Sequence, residues 1–172
     1  MQDWLEARVQ ATPDKIALIA NPSENRHDSI TYKQLNAQVA VMTQRWHNAG
    51  IQRGDHVGMV IPPFPLSVAQ IFTAMRVGVV FVPINTRLTH QEMIQQLQQA
   101  DCKWVLPYGD ADTLREIRDA GLTIANLDKD GDSNAPDSQD VDLNAPFAII
   151  HTSGTSGMPK ETNKYLFAFE TV

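Results

Sequence analysis

The run Val57-Gly58-Met59-Val60-Ile61 carries no polar side chain and stops at Pro62-Pro63. A strand on the surface of a sheet alternates apolar and polar positions, because successive side chains point to opposite faces. A strand without that alternation is covered on both sides, as happens when helices lie above and below a parallel sheet. The residues after Pro63 fit this requirement. A helical segment from about Leu66 to Val77 leads into a second apolar run, Val79-Val80-Phe81-Val82, which completes a β-α-β unit. Thr89-His90-Gln91-Glu92 then reads as a capping box, in which hydroxyl and carboxylate satisfy orphan N–H groups at a helix start. Met93, Leu97 and Ala100 line the inner face of that helix. A strand at Trp104-Val105-Leu106, a helix from Ala111 to Ala120 with Leu114 and Ile117 inward, and a strand at Leu122-Thr123-Ile124 continue the alternation. The expected class is α/β, a layered sheet flanked by helices.

Upstream of the first buried strand, Trp4, Leu5, Arg8 and Val9 predict a short helix ending at Thr12-Pro13, since a residue before proline is pushed out of helical conformation. Ile16 to Ile19 and Ser29 to Tyr32 read as hairpin partners. Thr31 is placed to cap the next helix, whose residues Leu35, Val39, Met42 and Trp46 share one face until Gly50 stops it; that face is expected to pack on a sheet.

With 172 residues, 42% hydrophobic and 20% charged, the chain suits one globular domain or the leading portion of a larger one. The net charge of -6 and the scatter of the 14 Lys and Arg argue against a nucleic-acid partner. No apolar run approaches the roughly 20 residues that span a bilayer. The opening Met1-Gln2-Asp3-Trp4 lacks the basic and apolar regions of a secretory signal, so a cytoplasmic location is expected. Cys102, the single cysteine, reads as a buried small hydrophobe. Asp128 to Asn144 holds six aspartates without hydrophobic periodicity and reads as a solvated loop; no metal site is assigned. His27, His47, His56 and His90 read as surface residues without an evident partner.

The chemistry is concentrated after the strand Phe147-Ala148-Ile149-Ile150-His151, in Thr152-Ser153-Gly154-Thr155-Ser156-Gly157-Met158-Pro159-Lys160. Two glycines allow close backbone approach to an anion, four hydroxyls can donate to phosphate oxygens, and Lys160 adds a positive charge. A plain Ser/Thr/Gly surface turn is the competing reading of such a composition. A Walker loop is not matched, because Pro159 and Glu161 stand where a second glycine and a hydroxyl belong.

The string resembles the core motif of the adenylate-forming superfamily, which includes acyl-CoA synthetases, luciferases and peptide-synthetase adenylation domains. That motif reads Thr-Ser-Gly-Thr-Thr-Gly-x-Pro-Lys-Gly, and Thr152 to Lys160 fits it with one Thr-to-Ser change at Ser156. Thr31-Tyr32-x-x-Leu35 and Gly50-Ile51-x-x-Gly54-Asp55 also look like this superfamily's early segments. More narrowly, Trp4-Leu5-x-x-Arg8 and Pro83-Ile84-Asn85-Thr86-Arg87-Leu88-Thr89 resemble the o-succinylbenzoate:CoA ligases of menaquinone biosynthesis. The resemblance implies an N-terminal subdomain of that fold, incomplete, over residues 1–160. It implies ATP with Mg2+, a carboxylic acid and CoA as reactants, and assigns ATP's β- and γ-phosphates to Thr152 through Lys160. It also makes His151 a candidate contact for the substrate carboxylate, the alternative being a strand-end side chain packed under the loop.

After Lys160 the resemblance fails, and residues 161–172 read as an atypical tail. The superfamily's later glutamate for magnesium, aspartate for the ribose and lysine for adenylation have no counterpart here. A frameshift, a premature stop or a cloning boundary is the expected origin, with little catalysis by this chain alone and self-association through uncovered surface. Glu161 places a negative charge beside Lys160, opposing anion binding. Another fatty or aryl acid:CoA ligase, a peptide-synthetase adenylation fragment, and a non-catalytic interaction protein using Tyr165 to Phe169 are the alternatives.

Overall fold

The computed structural model describes residues 3–19, 29–60, 66–107, 109–128, 145–152 and 160–165. At its centre lies the run without alternation: β3 (His56–Val60) is hydrogen-bonded to β4 (Val80–Ile84) on one side and β5 (Trp104–Val105) on the other, parallel to both. The six-stranded sheet has the order β6-β5-β3-β4-β7-β8, with β6 at Thr123–Ile124, β7 at Pro146–Thr152 and β8 at Lys160–Tyr165. The first five are parallel, and β8 closes one edge antiparallel to β7. The boundary at residues 160 and 161 drawn from sequence falls inside β8.

Both faces of β3 are buried, each under different helices. Val57 and Met59 join Phe81, Ala74 and Val77 in one core, so α3 (Leu66–Val77) covers that face. Val60 joins Val82, Ile84, Met93, Leu97 and Ile117 in the other, so α4 (His90–Gln99) and α5 (Ala111–Asp119) cover the opposite face. The connection after β3 therefore leaves toward one face and the connection after β4 toward the other. In open α/β sheets such a reversal opens a crevice at the carboxyl ends of the strands, where ligands bind.

A third layer lies outside α3. The helix α1 (Trp4–Ala11), the helix α2 (Tyr32–Ala49) and the hairpin β1 (Ile16–Ile19) with β2 (Ser29–Thr31) share a core of Leu5, Leu35, Val39 and Ala69. Helix α2 departs from its predicted face: Thr43 is buried at 1% exposure, while Met42 is only half-buried at the rim. Thr43 tolerates this because its hydroxyl donates to the Val39 carbonyl at 2.8 Å, which removes the cost of an unsatisfied group. The face also meets α3 and the hairpin more than the sheet; Trp46, with the half-buried Ala49 beside it, reaches the sheet core. Gly50 ends α2 with φ at +91°, in the left-handed region that glycine enters without a Cβ clash. No described helix is long and apolar enough to cross a membrane.

Candidate functional site

β7 leads into the Ser/Thr/Gly-rich segment that follows it in sequence. Phe147, Ala148 and Ile149 are buried and anchor the strand, and its last ladder pair is Thr152 with Lys160. The two ends of the motif are thus hydrogen-bonded neighbours at the carboxyl end of β7. Ser153, Gly154, Thr155, Ser156, Gly157, Met158 and Pro159 lie between them, outside the described residues. The ladder pair fixes Thr152 and Lys160 relative to the sheet.

β4 flanks β7 on the side opposite β8. β7 pairs with β4 in parallel at Phe81 and Ala148, so Asn85, just past the end of β4, and Thr152, at the end of β7, lie toward the same carboxyl end of the sheet. Here the chain turns sharply. The Asn85 side-chain carbonyl accepts from the Arg87 amide at 2.9 Å, and the Leu88 amide donates to the Asn85 carbonyl at 3.2 Å. Pro83, Ile84, Asn85 and Thr86 line an open hollow of about 320 Å³. Helix α4 begins just beyond, capped by Thr89 and Glu92 in the predicted reciprocal pair. Hydrogen bonds from the Thr89 backbone and hydroxyl hold the Glu92 carboxyl below its ordinary pKa.

His151 pairs with Glu161 in the ladder, one position before the loop. It is half-buried, and both ring nitrogens are out of contact with solvent. The structure thus places it beside the loop root with its polar atoms turned inward. Of the other histidines, His56 and His90 have partners that the sequence did not show, while half-buried His47 stays at the surface. His56 contacts the Ala100 carbonyl through Nδ1 at 2.6 Å, and His90 contacts Glu116 and Thr113. The fourth, His27, lies outside the described residues, as do 129–144 of the aspartate-rich loop. Cys102 is buried as expected.

Asp55, which sits in one of the segments shared with the superfamily, lies at the opposite end of the sheet. Its carboxylate accepts from the Gln52 amide at 2.9 Å, the Trp104 indole at 3.0 Å and the Lys103 ammonium at 3.1 Å. Its work is architectural, tying the start of β3 to the start of β5. A smaller cavity of about 170 Å³, lined by residues including Arg53, Gly78 and Phe147, lies at this same amino end, away from the loop. Sequence reasoning does not place Asn85 and Thr86 at the site. The repeated turn chemistry of Asn85 to Thr89, between a buried strand and a capping box, is the signal that could have found them.

A model of the AMP-binding enzyme family matches residues 5–161. The 2-succinylbenzoate--CoA ligase of Bacillus anthracis (strain A0248) is 27% identical over 161 residues, covering 93% of this chain and 32% of that protein. The same-named enzyme of Listeria monocytogenes serovar 1/2a (strain ATCC BAA-679 / EGD-e) gives the same figures. The chain therefore spans about a third of the length of these curated relatives. Among solved structures, the Klebsiella oxytoca NpsA N-terminal subdomain bound to 3-hydroxyanthranilyl-AMSN superposes with a TM-score of 0.77 at 20% identity, over 94% of this chain and 39% of that one. The o-succinylbenzoate coenzyme A synthetase MenE from Bacillus subtilis, in complex with AMP, gives 0.74 at 21% identity, over 96% and 42%. At these identities the structural likeness speaks to the fold.

Proposed function

Because this chain belongs to the AMP-binding enzyme family, we propose that it is the phosphate-holding, N-terminal portion of an AMP-forming acid:CoA ligase whose acid is o-succinylbenzoate, in menaquinone biosynthesis. The observation that carries this reading is the ladder pair Thr152 with Lys160, which closes a Ser/Thr/Gly loop at the carboxyl end of β7 beside the hollow at the end of β4.

In the reaction, a carboxylate oxygen attacks the α-phosphorus of ATP. The bond to the bridging oxygen breaks, pyrophosphate leaves with its electron pair, and an acyl adenylate remains. The CoA thiolate then attacks the acyl carbon and AMP departs. The loop serves the first step. Backbone N–H groups and hydroxyls between Thr152 and Lys160 would hold the β- and γ-phosphates, and the Lys160 ammonium would offset charge growing on the departing pyrophosphate. No protein nucleophile is needed. Magnesium would arrive on the nucleotide: it favours phosphate oxygens and water with one or two carboxylates, and no cluster of three His, Cys, Asp or Glu forms among the described residues. His151 would stand at the root of the loop, a proposed contact for the acid. A chain spanning about a third of such a ligase is not expected to turn over unaided.

A second reading, an adenylation domain acting on another acid, draws on the fold likeness to VinN, with a TM-score of 0.75 at 24% identity, and to NpsA. The curated relatives at 27% identity favour the CoA ligase.

The test is titration of the chain with Mg-ATP and with inorganic pyrophosphate, followed by NMR, for wild type and Lys160→Ala. Millimolar binding, mutual competition of the two ligands and a roughly tenfold loss in the variant, the order of one charge-assisted contact, are expected. Absence of competition, or equal binding by Lys160→Ala, would overturn the phosphate assignment. A micromolar Kd that Lys160→Ala abolishes would support the assignment and show a preorganised loop.

A further inference from the structure

The turn before β3 is tied to the end of α3. The Gly54 amide donates to the Gly78 carbonyl at 2.9 Å, and the Gly78 amide donates to the Ala74 carbonyl at 2.9 Å. Gly78 has φ at +77°, and a Cβ added to it would come 3.2 Å from Cζ and 3.3 Å from Cγ and Nε of Arg53. A side chain at this position would therefore crowd the arginine, and the bare glycine is what leaves Arg53 room to lie across the backbone.

The same two residues border the cavity of about 170 Å³ at the amino end of the sheet. Ala74, Val79 and Phe147 are buried and give it an apolar wall, to which half-buried Met75 adds a thioether. Arg53 is exposed and so stands at the solvent side of that wall. Among the described lining residues it is the one that carries a charge, and none carries a carboxylate. The amides of Gly54, Gly78, Val79 and Val80 are already spent on carbonyls. The polar group that a ligand meets here is the guanidinium, with its five N–H donors.

An apolar cavity on the order of 150 Å³ takes up benzene, and a guanidinium pairs with a carboxylate through two parallel hydrogen bonds. We propose that this cavity is a second binding site, for an aromatic monocarboxylate of about the size of benzoate, with the ring against Phe147 and Met75 and the carboxylate on Arg53. The site is separate from the phosphate loop. Val80 and Pro146 line the cavity and open β4 and β7, which end at Ile84 and Thr152. The inference therefore does not depend on which acid, if any, is adenylated at the far end of those strands.

The experiment is titration of the 172-residue chain with benzoate, benzyl alcohol and acetate, followed by amide shifts in NMR. Benzoate should bind with a millimolar Kd and shift Gly54, Gly78 and Phe147 more than Thr152. Benzyl alcohol keeps the ring without the charge, and acetate the charge without the ring; each should bind roughly tenfold more weakly, the order of one charge-assisted hydrogen bond or a few buried carbons. Arg53→Met, a change at an exposed position, should lose benzoate by the same factor and leave benzyl alcohol unaltered. No saturable shift at the cavity, equal binding by either partial ligand, benzoate shifts centred on Thr152, or benzoate binding unaltered in Arg53→Met would each overturn the site.

Discussion

The carboxylate of Asp3 is gripped by Nε and Nη2 of Arg76 at 2.8 and 2.6 Å across 73 residues of chain. Asp3 also caps α1 by accepting from the Leu5 amide, and Arg76 also donates to Asn36 of α2 at 2.8 Å. One pair thus fastens the first helix to α2 and α3, with both side chains under 10% exposed.

Breaking a buried pair by removing one partner strands a charge, at a typical cost of about 3 to 5 kcal/mol. Arg76→Met should therefore lower stability by about 3 kcal/mol, read as a shift in the urea midpoint. A loss under about 1 kcal/mol, the scale of an exposed pair, would mean that packing of Leu5 alone holds α1.

At Gly58 the approach of α4 to β3 is so close that a Cβ would overlap the Leu97 side chain. Gly58→Ala should destabilise by about 1 to 3 kcal/mol, the usual range for overpacking. Combined with Leu97→Ala, itself costly at a buried leucine, the double variant should be less destabilised than the sum of the two single changes, because the obstruction is that one side chain. Strictly additive effects would place the strain in the backbone instead.

Acid should act through Asp55. Burial raises its pKa, but hydrogen bonds from the Gln52 backbone, Lys103 and Trp104, with the Lys103 charge, outweigh burial and hold it below the ordinary value. Asp110, held low mainly by the Thr113 amide and hydroxyl, shifts in the same direction. A folded state that depresses a carboxyl pKa binds fewer protons than the unfolded chain. The resulting stability is present above the unfolded value, about 3.9 for aspartate, and is lost as pH falls through the folded value. Urea midpoints measured from neutral pH down through that value should fall less steeply in Asp55→Asn than in wild type; identical slopes would exclude this contribution.

Self-association should appear in light scattering as concentration rises. Val41, Ile16 and Ile19 are half exposed, and Val41 lines an apolar groove of about 390 Å³ with Ala37, Gln38, Met42 and Arg45. Val41→Lys should shift the chain toward monomer if that groove contributes. A monodisperse monomer at all concentrations would remove the idea.

Much of the fold is legible in the order of the residues. Local chemistry makes Thr31 and Thr89 caps, Gly50 a stop and the Val57 run a doubly covered strand, because each depends on neighbours within a few positions. The Ser/Thr/Gly-rich composition of Thr152 to Lys160 is equally local.

Tertiary structure decided what periodicity could not. The choice of Thr43 over Met42 for the buried face of α2 turned on a hydrogen bond and on where α3 lies, and a helical wheel weighs neither. The histidine that looked solvated, His90, acquired Glu116 and Thr113 from a helix more than twenty residues away. Asp3 and Arg76 met only because α1 folds back over α3. The sequence by itself determined the elements, their caps and the chemical character of the loop, since those arise from contacts along the chain. Which side chains share a charge, a cavity or a proton was decided by packing, since those partners are neighbours in space and strangers in sequence.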